Sequence, residues 1–276
     1  MDHHTPVFAA IPNYNMGQQL KRLLPTLINR GYAHIYVLDD NSTDDSSKVA
    51  AKFIDSGVTF ITSESNVGAG ATRNRILDYQ TKGIVHFLDA DMKLLGRDNV
   101  ADNIRAAFRQ HPEAGCIGFR VLNPDKSQYD WNFGPIRQLK DGVVWLSYNI
   151  YSHSRSQILH STLQKLFQVE WQKWWTYMHI NDADIEHKVG VVAECNMAVR
   201  LEDFAKVQGF DRDLRFHEIH SLALKLKSIG KIIWYVPEVP SIIYDEIDVR
   251  PKRKREIRRA SRTLVIKRLT GQYSKF

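Results

Sequence analysis

Strand and helix patterns alternate through the first ninety residues of the chain, with one pair about every 25 residues. The apolar runs that predict strands are Pro6–Ile11, His34–Leu38, Val58–Thr62 and Ile84–Leu88. Helical spacing occurs at Gly17–Asn29, Ser46–Ile54 and Ala71–Tyr79, and Pro25 is expected to kink or break the first of these helices. Repeated β-α units join parallel strands through right-handed crossovers. The sequence therefore predicts an α/β protein, a three-layer α/β/α sandwich with a mainly parallel central sheet.

Beyond residue 91 the alternation becomes irregular. Helices are predicted at Asn99–Arg109, Glu202–Val207 and His217–Ile229, and strands at Gly115–Val121, Val191–Val199 and Lys231–Val236. Residues 123–150 have the turn-rich composition of hairpins, and the aromatic-rich residues 154–179 are predicted to be helical. A chain of 276 residues fits one large domain or two small ones with a substantial core.

Cysteine content and hydropathy limit where such a chain can work. Cys116 and Cys195 have no C-x-x-C spacing, which argues against a disulfide framework or a zinc site and fits a reducing compartment. The first residues lack the basic and apolar regions of a signal peptide, and no apolar run approaches the roughly 20 residues that span a bilayer. We therefore expect a cytoplasmic protein.

Positive charge is concentrated at the end of the chain. Residues 250–276 hold eleven Lys and Arg and one acid, a net of +10, whereas the whole chain carries +7, so the other 249 residues carry −3. This basic C-terminal tail, residues 249–276, is predicted to contain a helix at Glu256–Leu269. Two hypotheses stand for it: a solvated or disordered end, or peripheral contact of residues 250–269 with an anionic membrane at its inner face. Nucleic acid is not expected as a partner, because the body has no recognisable binding module.

Two acids follow the fourth predicted strand. Asp89 and Asp91 lie one residue apart after the apolar run Ile84–Leu88. In open α/β sheets, ligands bind at the C-terminal ends of strands. Paired carboxylates there suit Mg²⁺ or Mn²⁺, which commonly bring a phosphate-bearing substrate. The alternative is a pair of solvated turn aspartates that cap a helix.

Polar residues also follow the second and third predicted strands. Asp39 and Asp40 could accept hydrogen bonds from a nucleobase or a ribose, or they could begin a helix-capping run that continues to residue 45. Gly68 and Gly70 precede a helix that carries Arg73, which offers a close backbone approach and a cation to a phosphate or a base. An arginine on a helix surface without any ligand is an equally ordinary explanation.

Six blocks of this sequence, in order, resemble those of glycosyltransferase family 2, the nucleotide-diphospho-sugar transferases of GT-A fold. The blocks are Ile11–Asn15, Val37–Asp44, Asn66–Asn74, Phe87–Asp91, Glu194–Arg200 and Val207–Asp211. The resemblance spans residues 6–236. It implies a GT-A (Rossmann-like) domain over residues 1–248, with a nucleotide-binding half at 1–92 and an acceptor half at 93–248, before the tail at 249–276.

The resemblance also implies roles for individual residues. The donor-binding set that it predicts is Pro12, Asn13, Tyr14, Asp39, Asp40, Arg73, Asp89, Ala90 and Asp91. By this resemblance, Asp40 would contact the base, and Arg73 would contact uracil or a phosphate. Asp91 would bind the Mn²⁺ or Mg²⁺ that bridges the diphosphate, and Asp89 would contact the ribose or the metal.

The acceptor half departs from the family pattern at the catalytic base. Where the family has Glu-Asp-x-Asp-Leu, this chain reads His217–Leu222, and Ile219 stands at the position of the base. Ile219 cannot take a proton, so Glu218 is the first candidate, with His217 and His220 as substitutes or as capping and packing residues. A histidine that serves the family as a further metal ligand is missing, and Asp245 is the nearest candidate to replace it.

These implications predict an inverting, metal-dependent glycosyltransferase. The donor would be a UDP-sugar, and the acceptor a glycan, lipid-linked or protein hydroxyl in glycan or cell-surface polysaccharide synthesis. The aromatic rings in residues 154–179 would either fill the core or stack on acceptor sugars. Two alternatives remain. One is an inactive donor-binding or membrane-associated scaffold, which Ile219 favours. The other is a sugar nucleotidyltransferase, which would need a Gly-rich basic loop after the first strand.

Overall fold

The computed structural model describes residues 4–96, 98–127, 129, 132–134, 162, 165, 184–237, 242–244 and 253–274. Most of the hairpins predicted at 123–150, nearly all of the helical segment predicted at 154–179 and the candidate ligand Asp245 lie outside these residues. For these regions the sequence-based expectations stay predictions.

Strands and helices alternate at the start of the chain, as the sequence predicts. The described strands are β1 (Val7–Asn13), β2 (His34–Asp39), β3 (Val58–Thr62), β4 (Ile84–Leu88), β5 (Met92–Leu94), β6 (Ala114–Phe119), β7 (Val121–Leu122), β8 (Phe133–Gly134), β9 (His187–Val189), β10 (Val191–Val192), β11 (Asn196–Arg200), β12 (Ile232–Val236) and β13 (Ile242–Tyr244). The described helices are α1 (Gly17–Leu27), α2 (Ser46–Ala51), α3 (Ala69–Asn74), α4 (Val100–Gln110), α5 (Leu201–Lys206), α6 (Glu218–Ser228) and α7 (Lys254–Leu269). Short 3₁₀ turns follow α2 and α3, at Ile54–Ser56 and Arg75–Asp78, and a third lies at Gln272–Ser274.

Eight strands form one central sheet in the order β3-β2-β1-β4-β11-β6-β12-β9. The first four are parallel, as is the pair β6 and β12. Strand β11 is inserted antiparallel between β4 and β6, and Asn196 pairs with Leu88. This insertion brings the start of β11 beside the C-terminal end of β4, where Asp89 follows.

Two apolar layers cover the sheet. Residues of α1, α2 and α4 pack on one face, and residues of α5 and α6 pack on the other. All five residues of β4 are buried, which is the environment of a central parallel strand covered on both faces. The three-layer α/β architecture expected from the sequence is confirmed.

The structure corrects three predicted elements. The run Gly115–Val121 is not one strand: β6 lies in the central sheet, whereas β7 pairs with β13 in a separate sheet. Helix α1 is not broken at Pro25 but continues to Leu27, because its four leucines are buried in the core and outweigh the ~3 kcal/mol cost of the proline. The kink that was the other expectation for Pro25 stays a prediction. The run Val191–Val199 is not one strand: β10 pairs with β8, and β11 enters the central sheet. Since both pieces are buried, hydrophobicity alone gives no sign of the turn between them. That turn carries Glu194.

Within the basic tail, residues 254–269 form a packed helix rather than a disordered segment. Buried residues of α7 contact Leu214 and Tyr273, and Lys267 Nζ lies 2.8 Å from Asp211 Oδ1 and 2.6 Å from Asp213 Oδ2. Within the described residues, no helix is long and apolar enough to cross a membrane.

Candidate active site

A cleft of about 190 Å³ lies at the C-terminal ends of β1, β2 and β4. Its lining residues are Pro12, Asn13, Tyr14, Met16, Asp40, Ala69, Thr72, Asp89, Ala90 and Asp91. Seven of the nine predicted donor-binding residues are among them; Asp39 and Arg73 are not. A larger hollow of about 620 Å³, lined by parts of the segments 27–35 and 55–57, contains none of the predicted residues.

Asp39 orders the loops at the edge of the cleft. Its carboxylate is almost fully buried and accepts hydrogen bonds from Asn13 Nδ2 (2.7 Å), Ser42 N (2.9 Å), Ser42 Oγ (2.5 Å) and Thr62 Oγ1 (3.0 Å). Four protein donors satisfy a buried carboxylate without a ligand. Asp39 therefore joins the ends of β1, β2 and β3 and does not face the cleft.

Asp40 lines the cleft and holds the loop in front of α3. Its two carboxylate oxygens accept hydrogen bonds from Val67 N (2.7 Å) and Gly68 N (2.8 Å). Gly68 has a φ of 92°, a conformation that a residue with a Cβ rarely adopts. These two hydrogen bonds hold the backbone of residues 67 and 68 in place at one wall of the cleft.

Arg73 lies behind the cleft rather than in it. Its side chain is 2% exposed and forms ion pairs with Asp89 Oδ1 (2.5 Å) and Glu194 Oε2 (3.1 Å). Its guanidinium carbon lies 5.7 Å from the centre of the Phe210 ring. Burial on its own lowers the pKa of Arg73, but the carboxylates of Asp89, Glu194 and Glu218 outweigh burial and raise it. The arginine is a permanent cation that ties the acid after β4 to the acceptor half.

Glu194 is the functional candidate that the sequence analysis did not assign. It lies in the turn before β11, where Oε2 meets Arg73 and Oε1 accepts a hydrogen bond from Ile219 N at 2.7 Å. Its side chain is 20% exposed. Burial raises its pKa, and Arg73 opposes that rise. The available signal was a single acid within an otherwise apolar run, but the antiparallel insertion of β11 is needed to see where it lies.

Glu218 begins α6 and is buried among other charges. It is 6% exposed, and a Cβ added to Gly70 would lie 2.8 Å from its Cγ. Glycine at position 70 thus permits the close approach of Glu218 to α3. Burial, and secondarily the neighbouring Glu194, raise the pKa of Glu218 to about 8, with Arg73 opposing. Burial at this site therefore favours the protonated form of the carboxyl group.

His217 and His220 lie at the other side of the start of α6. His217 has a φ of 63°, and its Nε2 is 2.9 Å from Ser261 Oγ of α7. The ring centres of His217 and His220 are 5.7 Å apart. Neither residue lines the cleft. The contact with Ser261 fits a packing role for His217, and its catalytic role stays a prediction.

Two carboxylates that face the same cleft could hold a divalent cation. Asp89 and Asp91 both line it, although Asp89 also pairs with Arg73. Among the residues that the structure describes, no group of three or more His, Cys, Asp or Glu side chains forms a metal site. Mg²⁺ and Mn²⁺ need no such group, because Mg²⁺ is usually bound by one or two carboxylates with waters and substrate phosphates, and Mn²⁺ favours the same oxygen ligands. The carboxylates of Asp89 and Asp91 therefore fit such an ion.

Comparison with known sequences gives a family match over most of the chain. The model of the family Glycosyl transferase family 2 matches residues 9–206. The curated relative UDP-Glc:alpha-D-GlcNAc-diphosphoundecaprenol beta-1,3-glucosyltransferase WfgD of Escherichia coli is 30% identical over 83 residues, which cover 29% of this chain and 33% of that protein. The matched part spans less than half the length of the curated relatives.

Solved structures share the fold at low sequence identity. Mannosyltransferase PcManGT from Pyrobaculum calidifontis, in complex with GDP-Man and Mn²⁺, has a TM-score of 0.57 and 16% identity, covering 90% of this chain and 59% of that one. TarS 1-349 of S. aureus, in complex with UDP-GlcNAc, has a TM-score of 0.55 and 15% identity, covering 88% of this chain and 60% of that one. At these identities the likeness establishes the fold, and it confirms the predicted GT-A architecture.

Proposed function

This chain belongs to glycosyl transferase family 2, and we propose that it transfers a sugar from a nucleotide-diphosphate donor to an acceptor hydroxyl, with inversion at the anomeric carbon. The observation that carries the proposal is the convergence of Asp40, Asp89 and Asp91 on one cleft at the C-terminal edge of the sheet. A relative named for UDP-Glc and a structural neighbour with bound UDP-GlcNAc support a UDP-sugar as the donor.

Different cleft residues would bind the nucleoside and the diphosphate of the donor. Pro12, Asn13 and Tyr14 at the end of β1 form the wall for the nucleoside, beside Asp40, and the exposed ring of Tyr14 offers a stacking face at its mouth. Asp91, assisted by Asp89, would hold Mn²⁺ or Mg²⁺ against the diphosphate. A bound ion of this kind neutralises charge that develops on the departing nucleoside diphosphate.

The acceptor side is an acidic pair. Glu194 and Glu218 lie at the start of α6, and Arg73 links this pair to Asp89 in the donor cleft. An in-line displacement needs a base on the side of the acceptor hydroxyl. We propose that the pair Glu194 and Glu218 accepts the proton of the acceptor hydroxyl. Because both carboxyl groups are largely buried, a state with one shared proton is favoured over two full charges.

Nucleotide-sugar binding tests the donor assignment. We expect UDP-sugars with Mn²⁺ to raise the melting temperature, because a ligand at 100 times its Kd stabilises the folded state by about 2.7 kcal/mol. Melting curves with UDP-glucose, UDP-GlcNAc and GDP-mannose, each with and without Mn²⁺, measure this directly. A larger shift with GDP-mannose would indicate a guanosine rather than a uridine donor. The absence of a shift with all three nucleotide sugars would contradict the proposal.

The outward face of α7 supports peripheral contact with an anionic membrane. Its exposed residues are Arg255, Glu256, Arg258, Arg259, Arg262, Val265, Ile266 and Leu269, of which only Glu256 is acidic. The three aliphatic residues are between 42% and 66% exposed, and they follow the arginines along one side of the helix. Cationic and apolar groups on one helix face suit the boundary between anionic headgroups and acyl chains. We therefore propose that the protein works at the inner face of a membrane on an acceptor held there.

Vesicle binding tests this surface. Because each Lys or Arg near an anionic surface contributes about 1 kcal/mol, Arg258→Gln with Arg262→Gln should weaken binding to phosphatidylglycerol vesicles about 30-fold. Lys48→Gln on α2 with Lys52→Gln just after it removes the same charge from the donor half and should leave binding unchanged. Equal weakening by both pairs would contradict a role for α7 itself, and so would equal binding of wild type to phosphatidylcholine vesicles.

A further inference from the structure

A carboxylate from outside α6 occupies the start of this helix. Glu194 Oε1 accepts the hydrogen bond of Ile219 N at 2.7 Å, and Ile219 stands at the position where the family pattern puts the catalytic base. We propose that Glu194, in the turn before β11, takes the proton of the acceptor hydroxyl. It would replace the acidic side chain that the family pattern has at position 219. This assignment rests on the proposed glycosyl transfer and names the reacting group within the acidic pair.

The position of Glu194 is fixed from both halves of the fold. Strand β11 runs antiparallel to β4, and Asp89 N donates to Cys195 O at 3.3 Å. Arg73 then binds Asp89 with one terminal nitrogen and Glu194 with the other. The guanidinium of Arg73 therefore connects Glu194 directly to Asp89 in the lining of the donor cleft.

Glu194 and Glu218 differ in how far their side chains are exposed to solvent. The Glu194 side chain is 20% exposed, whereas Glu218 is 6% exposed and packs against Gly70. Each Glu194 oxygen accepts one N–H donor and keeps a lone pair for a proton. The charged and titratable groups around Glu194 are Arg73 from α3, Asp89 after β4 and Glu218 from α6. Burial raises the pKa of Glu194, and Arg73 and Ile219 N oppose that rise by favouring its ionised form. Glu218 is the more buried of the two acids, and burial raises its pKa to about 8.

The chemical step balances with these groups. The acceptor oxygen forms a bond to the anomeric carbon while the bond from that carbon to the diphosphate oxygen breaks. The electron pair of the broken bond leaves with the nucleoside diphosphate, and the acceptor proton passes to the Glu194 carboxylate. Solvent then takes the proton from Glu194.

Removing and relocating the carboxylate tests the assignment. Glu194→Gln keeps an oxygen for Ile219 N but cannot act as a base, so turnover should fall about 10²–10⁴-fold. Adding Ile219→Asp to Glu194→Gln returns a carboxylate to the start of α6. The double variant should turn over at least about tenfold faster than Glu194→Gln alone. Glu186→Gln, an exposed carboxylate paired with His111, is the matched control and should not change the rate.

Turnover is measured as UDP release from UDP-sugars with Mn²⁺ and water as the acceptor. The Kd for UDP is measured separately by calorimetry. Glu194→Gln should leave that Kd unchanged. Turnover by Glu194→Gln within about threefold of wild type would overturn the assignment, as would the absence of rescue by Ile219→Asp. Loss of turnover in Glu218→Gln alone would transfer the role to Glu218. Wild type that binds UDP but releases no UDP from any UDP-sugar, even with acceptor mixtures present, would overturn the proposed function itself.

Discussion

Arg73→Met should lower the free energy of unfolding by about 3–5 kcal/mol, because removing one partner of a buried ion pair leaves uncompensated charge. The methionine would leave Asp89, Glu194 and Glu218 facing one another without the cation that now joins them. Arg212→Met, at an exposed position, removes the same charge and should change stability by less than about 0.5 kcal/mol. Urea denaturation of the three proteins measures the difference.

The deficit of Arg73→Met should depend on pH in a defined direction. Without Arg73, the pKa values of Glu194 and Glu218 rise further above the ordinary carboxyl value of about 4. A carboxyl group whose pKa is raised in the folded state holds a proton that the unfolded chain releases, so its ionisation destabilises the fold as pH rises. The wild-type pKa of Glu218 is already raised to about 8. The deficit should therefore be small near pH 4 and grow through pH 8. A pH-independent deficit would mean that lost packing, not lost charge, is the cause.

Asp91→Ala should reduce UDP-sugar turnover by about 10²–10³-fold. A divalent cation at the leaving group contributes several kcal/mol, and each 1.36 kcal/mol is a factor of ten in rate. Asp91 lines the cleft beside Asp89, and Asp89 is already bound to Arg73, so loss of Asp91 removes the main candidate ligand. The Mn²⁺-dependent part of donor binding should disappear with it, while the melting temperature without ligand stays near that of wild type.

Asp55→Ala is the matched control for Asp91→Ala. Asp55 is an exposed acid in the 3₁₀ turn after α2, away from the cleft. Turnover by this control should equal that of wild type. Wild-type-like turnover in Asp91→Ala would remove Asp91 from the metal assignment.

The parts of the site that follow directly from strand ends could be predicted from sequence. The apolar run before Asp89 identifies a buried central strand, and the sheet topology then requires Asp40, Asp89 and Asp91 to meet at one edge. Side-chain direction could not be predicted. Asp39 and Arg73 have the residue types of ligands, but both turn into the protein. There Asp39 accepts hydrogen bonds from Ser42 and Thr62, and the two terminal nitrogens of Arg73 pair with carboxylates.

The acceptor side was less accessible to sequence reasoning because long-range pairing builds it. Glu194 reaches α6 only because β10 and β11 belong to different sheets, and a continuous apolar run does not reveal such a change. The docking of α7 through Lys267 and Ser261 depends on partners more than 40 residues away. Local periodicity cannot report contacts of this kind.

Release of UDP tests the central claim most directly. The wild-type chain, incubated with Mn²⁺, a panel of UDP-sugars and acceptor mixtures, should release UDP from at least one donor at a rate that Asp91→Ala lowers at least about 100-fold. Binding of UDP-sugars without release of UDP, even with acceptor mixtures present, would contradict glycosyl transfer and identify a donor-binding scaffold.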